Sequence, residues 1–234
     1  MNAPSLVNAP SDSIKLAPMA LPALGWRGQG LLRPECVLAT ASGDLYTADW
    51  RGGVAHLRPD GSQSLYLGHL PKGGDLRPNG IALLPDGSFL LAQLGSDAGG
   101  VYQLARDGTV TPWLVKVQGL LLPPTNFVLP DAQGRTWVTV STRRTPRALG
   151  YRRDDGDGFI VCIDARGARV VADGLGYTNE VAVHPSGAWL YVNETFSRRL
   201  SRFALHADGR VGDKQVVAEF GPGTFPDGLA FDEE

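Results

Sequence analysis

Residues 81–110 read "IALLPDGSFLLAQLGSDAGGVYQLARDGTV". An apolar strand runs into a Pro-Asp-Gly turn. A second apolar strand follows, then a loop, a third strand and an Arg-Asp-Gly turn. The same order recurs from Leu38 ("LATASGDLYTADWRGGVAHLRPDGS") and from Phe127 ("FVLPDAQGRTWVTVSTRR", resuming at "DGFIVCIDARGAR"). It recurs again from Val181 ("VAVHPSGAWLYVNETFSRRLSRFALHADGR"). The first turn glycines are Gly43, Gly87, Gly134 and Gly187, spaced 44, 47 and 53 residues apart. A four-strand unit repeating every 40 to 50 residues predicts an all-β fold of stacked β-propeller blades. In "SFLLAQ" and "AWLYVN" large apolar groups fall on both faces, as sheets packed between neighbours require. No segment carries a sustained 3.6-residue period, so no long helix is expected.

The totals fit this reading. Of 234 residues, 43% are hydrophobic, and 30 Gly with 17 Pro supply dense turns. The net charge of −2 argues against a general polyanion binder, so no nucleic-acid partner is expected. No apolar run approaches the ~18 residues that would cross a bilayer, so no membrane partner is expected either. Residues 1–28 form an Ala-, Pro-, Ser- and Asn-rich tail without a basic n-region, and 29–234 form the propeller domain. Cys36 and Cys162 are the only cysteines and make no disulfide framework. Buried, reduced thiols in a cytoplasmic protein are expected.

A short polar signature precedes the first strand of each repeat: "RPECVLA", "RPNGIAL", "PTNFVLP", "YTNEVAV" and "PDGLAFD". It contributes Glu35, Asn79, Asn126, Asn179 and Asp227. First strands of a propeller line its central channel, so equivalent positions converge on the axis. Any one of these residues alone reads as turn chemistry. Their recurrence at one phase of the repeat makes a ring of oxygens, which suits a hard cation such as calcium better than zinc. The four histidines lie outside these signatures and read as surface or half-buried residues.

With these residues the chain resembles the senescence marker protein/gluconolactonase (regucalcin-like) family of six-bladed propellers, from about Gly30 onward. The resemblance implies one divalent cation, calcium first, with zinc or manganese as alternatives. Its ligands would be Glu35, Asn126, Asn179 and Asp227. It implies hydrolysis of a sugar lactone or related cyclic ester, with Asp227 as both ligand and general base. Asn79 resembles a channel-lining residue of many members and is a weaker substrate candidate. Asn126 stands in "PTNF", where many members read Arg-x-Asn-Asp, so that Arg and second acid are missing here. Glu180 follows Asn179 where Gly is common in the family, and on a strand its side chain points away from that of Asn179, so it is a candidate to support the ligands and not to hold the ion.

The longest interruption of the repeat, "STRRTPRALGYRRDDGDGF", reads either as a solvated loop or as a basic lid for an anionic substrate, with Arg143 and Arg144 its candidate contacts. Asp155-Gly156-Asp157-Gly158 reads as a turn, since the acid that a calcium loop needs further on is Arg166. A non-catalytic ligand- or protein-binding propeller and a phosphotriester hydrolase stay open as alternatives. Finally, "FPDGLAFD" reads as the first strand of a fifth repeat, with about four and a fraction blades present and the chain truncated at its C-terminus. On that reading Asp227 stands on a poorly supported strand.

Overall fold

A computed structural model of the chain describes residues 25–95 and 99–232. Of the tail expected over 1–28, all but 25–28 lies outside the described residues. Each repeat folds as a four-stranded antiparallel meander with consecutive strands hydrogen-bonded. The first sheet is β1 (Val37–Ala39), β2 (Leu45–Asp49), β3 (Gly53–Leu57) and β4 (Gln63–Leu67). The second is β5 (Pro78–Leu83), β6 (Phe89–Gln93), β7 (Val101–Leu104) and β8 (Val110–Leu114). A small hairpin, β9 (Lys116–Val117) and β10 (Leu120–Leu121), leads to the third sheet. That sheet is β11 (Thr125–Pro130), β12 (Thr136–Val140), β13 (Gly158–Asp164) and β14 (Gly167–Leu175). The fourth is β15 (Thr178–Val183), β16 (Trp189–Glu194), β17 (Arg199–Leu205) and β18 (Val211–Glu219). Among the described residues no helix is long and apolar enough to cross a membrane.

The four repeat glycines take φ of +84°, +84°, +75° and +70° in chain order, so each β1–β2-type turn uses the left-handed conformation that glycine adopts without penalty. Alternation along the strands divides their side chains between two neighbours. Phe89 and Leu91 of β6 pack with Tyr46, Ala48 and Val54 between the first and second sheets. Leu90 and Ala92 of the same strand pack with Val138, Val140 and Val161 between the second and third. Trp137, Ile160 and Cys162 turn the other way, onto Leu190, Val192 and Phe203 of the fourth sheet. There is thus one core per sheet interface. The first strands lie side by side: a Cβ on Gly80 of β5 would sit 2.6 Å from the Cα of Phe127 on β11, so only glycine permits this approach.

Two expectations change here. His56 is buried rather than at the surface or half-buried, stacked on Tyr46 and bonded to Asp44, and it is structural. Residues 225–232 form no strand, because no ladder partner for them lies among the described residues. They are nevertheless well tied. Asn193 Nδ2 donates to the carbonyls of Asp227 and Gly228 at 2.8 and 3.0 Å. Thr195 Oγ1 donates to the Pro226 carbonyl, and the Leu229 N–H donates to Glu180. Phe231 packs edge-on against His184 and Tyr191.

Both thiols are free, Cys36 half-buried and Cys162 buried. Burial pushes the Cys36 thiol up to about 12, and burial raises Cys162 as well. At pH 8 a thiol of that pKa is ionised in only about one molecule in ten thousand. Ellman's reagent is therefore expected to label neither cysteine in the native protein and both in guanidinium. Rapid native labelling of either would contradict this packing.

Candidate metal and substrate site

The sheets bring the five signature residues together. Glu35, Asn79, Asn126, Asn179 and Asp227 all line one cavity of about 150 Å³. The backbone aims them in a repeated way. Asn79, Asn126 and Asn179 each sit second in β5, β11 and β15, and each of those strands is bulged at that point. Pro78 pairs Gln93 and Ile81 pairs Leu91, so the first strand carries one residue more than its partner. The same irregularity falls between Thr125 and Phe127 and between Thr178 and Val181. Bulges re-aim a side chain, and here three of them turn an asparagine toward the axis.

A hydrogen-bonded chain crosses the cavity floor. Arg33 pairs with Glu35 at 2.9 Å and donates to Asn79 Oδ1 at 2.9 Å, with its guanidinium 4.2 Å above the Trp50 ring. Arginine only donates, so Asn79 must present its oxygen to Arg33 and its NH₂ to the Asn126 carbonyl, 3.2 Å away. Asn79 is therefore fully engaged as a link. Asn126 is buried, yet its own side-chain oxygen has only a long 3.5 Å contact, from Asn79. On the other wall, Thr195 spends its single proton on Pro226, so it must accept from Asn179 Nδ2 at 2.9 Å. The same NH₂ group meets Asp227 Oδ1. These contacts leave Asn179 Oδ1 without a partner among the described residues.

Two carboxylates and two under-used amide oxygens make an oxygen-only donor set that suits a hard divalent cation. Among the described residues no three His, Cys, Asp or Glu side chains cluster, because half of this set is amide. Glu180 stands beside it: burial pushes its carboxyl up to about 7, opposed by the Leu229 N–H and reinforced by Asp227 and Glu35.

The loop arginines divide between surface ion pairs and the cavity. Arg143 pairs with Asp173 and lies over Phe159, while Arg144 pairs with Asp155. Neither lines the cavity, whereas Arg147, from a 3₁₀ turn at Arg147–Gly150, does. Asp155 and Asp157 are occupied by Arg144 and Thr142, as turn residues. Aromatic groups line the cavity as well. Tyr151 stacks on Phe196 at 4.4 Å, and Tyr177 meets both rings edge-on. Tyr177 holds φ of +67°, Arg33 +48° and Cys36 +52°, left-handed conformations that bulky residues adopt only where their surroundings fix them. Arg33 and Tyr177 already stood in the "RPE" and "YTN" signatures, which is the signal that could have named them.

Four-stranded meanders set side by side, with their first strands converging on a polar axial site, define a protein of the β-propeller type. The chain belongs to the SMP-30/Gluconolactonase/LRE-like family, whose model matches residues 33–234. It is 33% identical over 204 residues to a 6-deoxy-6-sulfogluconolactonase of Pseudomonas putida, covering 80% of this chain and 60% of that protein. The chain thus spans about 60% of the length of this curated relative. Among solved structures it is similar to a gluconolactonase of Xanthomonas campestris, with a TM-score of 0.68 at 22% identity, over 86% of this chain and 67% of that one. It is also similar to a calcium-binding protein, regucalcin, of Agrobacterium tumefaciens. There the TM-score is 0.59 at 20% identity, over 80% of this chain and 59% of the other. At these identities the structural likenesses bear on fold alone.

Proposed function

We propose that this chain carries the active site of a divalent-metal-dependent lactone hydrolase of the six-bladed propeller type. The observation that supports it is the meeting of Glu35, Asn126, Asn179 and Asp227, drawn from far-apart repeats, in one cavity. Family membership and the named lactonase relative point to the same chemistry.

Glu35, Asn126, Asn179 and Asp227 would hold the ion, calcium first, with zinc or manganese as alternatives. When bound, such an ion supplies a Lewis acid for the lactone carbonyl and charge stabilisation for the developing oxyanion. The Asp227 carboxylate takes a proton from water as its oxygen bonds to the carbonyl carbon. The ring C–O bond then breaks, and the proton passes to the departing alkoxide to leave a hydroxy acid. Arg33 pairs with Glu35, and Thr195 accepts from the Asn179 NH₂ group, which leaves the amide oxygen to the ion.

A panel of aldono-, glucaro- and aliphatic lactones, run with calcium, zinc, manganese and chelator, tests the reading. Turnover that chelation abolishes and added metal restores is expected. No turnover with any of the three metals would overturn it, and cleavage of a phosphotriester instead would favour a different hydrolase. Thr195→Val, which frees the Asn179 amide, is expected to weaken divalent-ion affinity by about 10- to 100-fold in calorimetry. Unchanged affinity would detach Asn179 from the ligand set.

A further inference from the structure

The axial cavity is one of two adjoining spaces. Leu94 and Arg147 line both it and a larger recess of about 680 Å³ walled by Trp50, Asp75, Arg77 and Gln93. The combined size is ample for a small ligand. Three arginines face these spaces, and two are spoken for. Arg33 pairs with Glu35, and Arg77 pairs with Asp75 at 2.6 Å. Arg147 has no carboxylate within ion-pairing distance among the described residues. Its loop neighbours Arg143, Arg144 and Arg152 all pair with aspartates.

Arg147 is nonetheless held in position. Its 3₁₀ turn ends at buried Gly150, packed on Thr142, and the next residue, Tyr151, stacks on Phe196. Its guanidinium lies beside the Tyr177 phenol, which burial raises above its ordinary range and which Tyr151 also neighbours. A half-buried guanidinium with no carboxylate partner among the described residues, set beside the Tyr177 phenol, offers a planar fork of donors to a tetrahedral or planar oxyanion.

On the reading above, that the reacting carbonyl lies at Glu35 and Asp227, we infer that Arg147 is a specificity-determining residue for lactones bearing a second, anionic substituent. The lactone ring occupies the axial cavity. A sulfonate or carboxylate at the far end of the substrate reaches the junction with the larger recess and pairs with Arg147.

The test compares kcat/KM for a neutral gluconolactone, a 6-sulfonated gluconolactone and a glucarolactone, with wild type, Arg147→Gln and, as an ion-paired control from the same loop, Arg152→Gln. Wild type is expected to prefer the anionic lactones, the sulfonate and carboxylate arms showing which oxyanion fits better. Arg147→Gln is expected to cut the anionic-to-neutral ratio by about 10- to 100-fold, and Arg152→Gln to leave the ratio within twofold. Calorimetric binding of open-chain gluconate with and without the 6-sulfonate forms an arm that needs no turnover. If no lactone is opened yet sulfonate-dependent binding is lost in Arg147→Gln, the hydrolase reading fails and the anion site stands. If lactones are opened but the ratio is unmoved by Arg147→Gln, the anion site fails and the hydrolase reading stands.

Discussion

On the proposed mechanism, Asp227→Asn lowers kcat/KM for lactone opening by an expected 10³-fold or more, the order of loss when a general base and a charged ligand disappear together. The substitution changes one atom and removes one charge. The backbone that carries it is fixed independently, by Asn193 on the carbonyls of residues 227 and 228 and by Thr195 on that of Pro226. The variant should therefore melt close to wild type while losing both turnover and divalent-ion affinity. Its new NH₂ group would face that of Asn179, where the carboxylate now accepts. Kinetics beside calorimetry separate the two losses, because saturating metal restores a ligand defect and leaves a missing base unrepaired. Activity within tenfold of wild type at saturating metal would remove Asp227 from the chemistry.

Asp131→Ala is expected to destabilise the fold by about 3–5 kcal/mol, the usual result of removing one partner from a buried ion pair. The Asp131 side chain is 4% exposed and that of Arg135 6%. Asp131 Oδ2 accepts from Arg135 Nε at 2.6 Å and from Trp137 Nε1 at 2.9 Å. Its Oδ1 accepts the Gln133 and Arg135 N–H groups at 2.9 Å each. Alanine would strand a buried guanidinium above the Trp137 ring together with three unmatched N–H donors. For a chain of this size the melting temperature should fall by about 10 °C. The double variant Asp131→Leu/Arg135→Met, which strands no charge, should lose less. Denaturant unfolding measures all three, and a loss under 1 kcal/mol for Asp131→Ala would show that the pair is solvated.

Much of this architecture was legible because the repeat is written in glycines and apolar pairs. Gly43, Gly87, Gly134 and Gly187 marked turns that the backbone takes at positive φ. The doubly apolar "SFLLAQ" marked a strand shared between two cores. The polar signatures marked the axial ring, since position in a repeat translates directly into position around an axis. What escaped was whatever depends on neighbours remote in sequence. Nothing local distinguishes Arg147 from Arg143, and only the packing of Asp173 and Asp155 shows which arginines are occupied. The bulges were hidden because an extra residue shows only against the partner strand's register. "FPDGLAFD" has the composition of a strand, but strand formation depends on a partner as well as on composition.

The recurrence of one bulge in three sheets has a consequence for how such a site diversifies. Since the kink and not the amino acid on it sets the aim, Asn79, Asn126 and Asn179 occupy equivalent sockets. A single codon change in any of them exchanges an amide for a carboxylate or an imidazole without disturbing the hydrogen-bond ladder behind it. Lineages built on this scaffold can thus tune the charge of the axial ring one repeat at a time, keeping the frame while changing the ligand chemistry it favours.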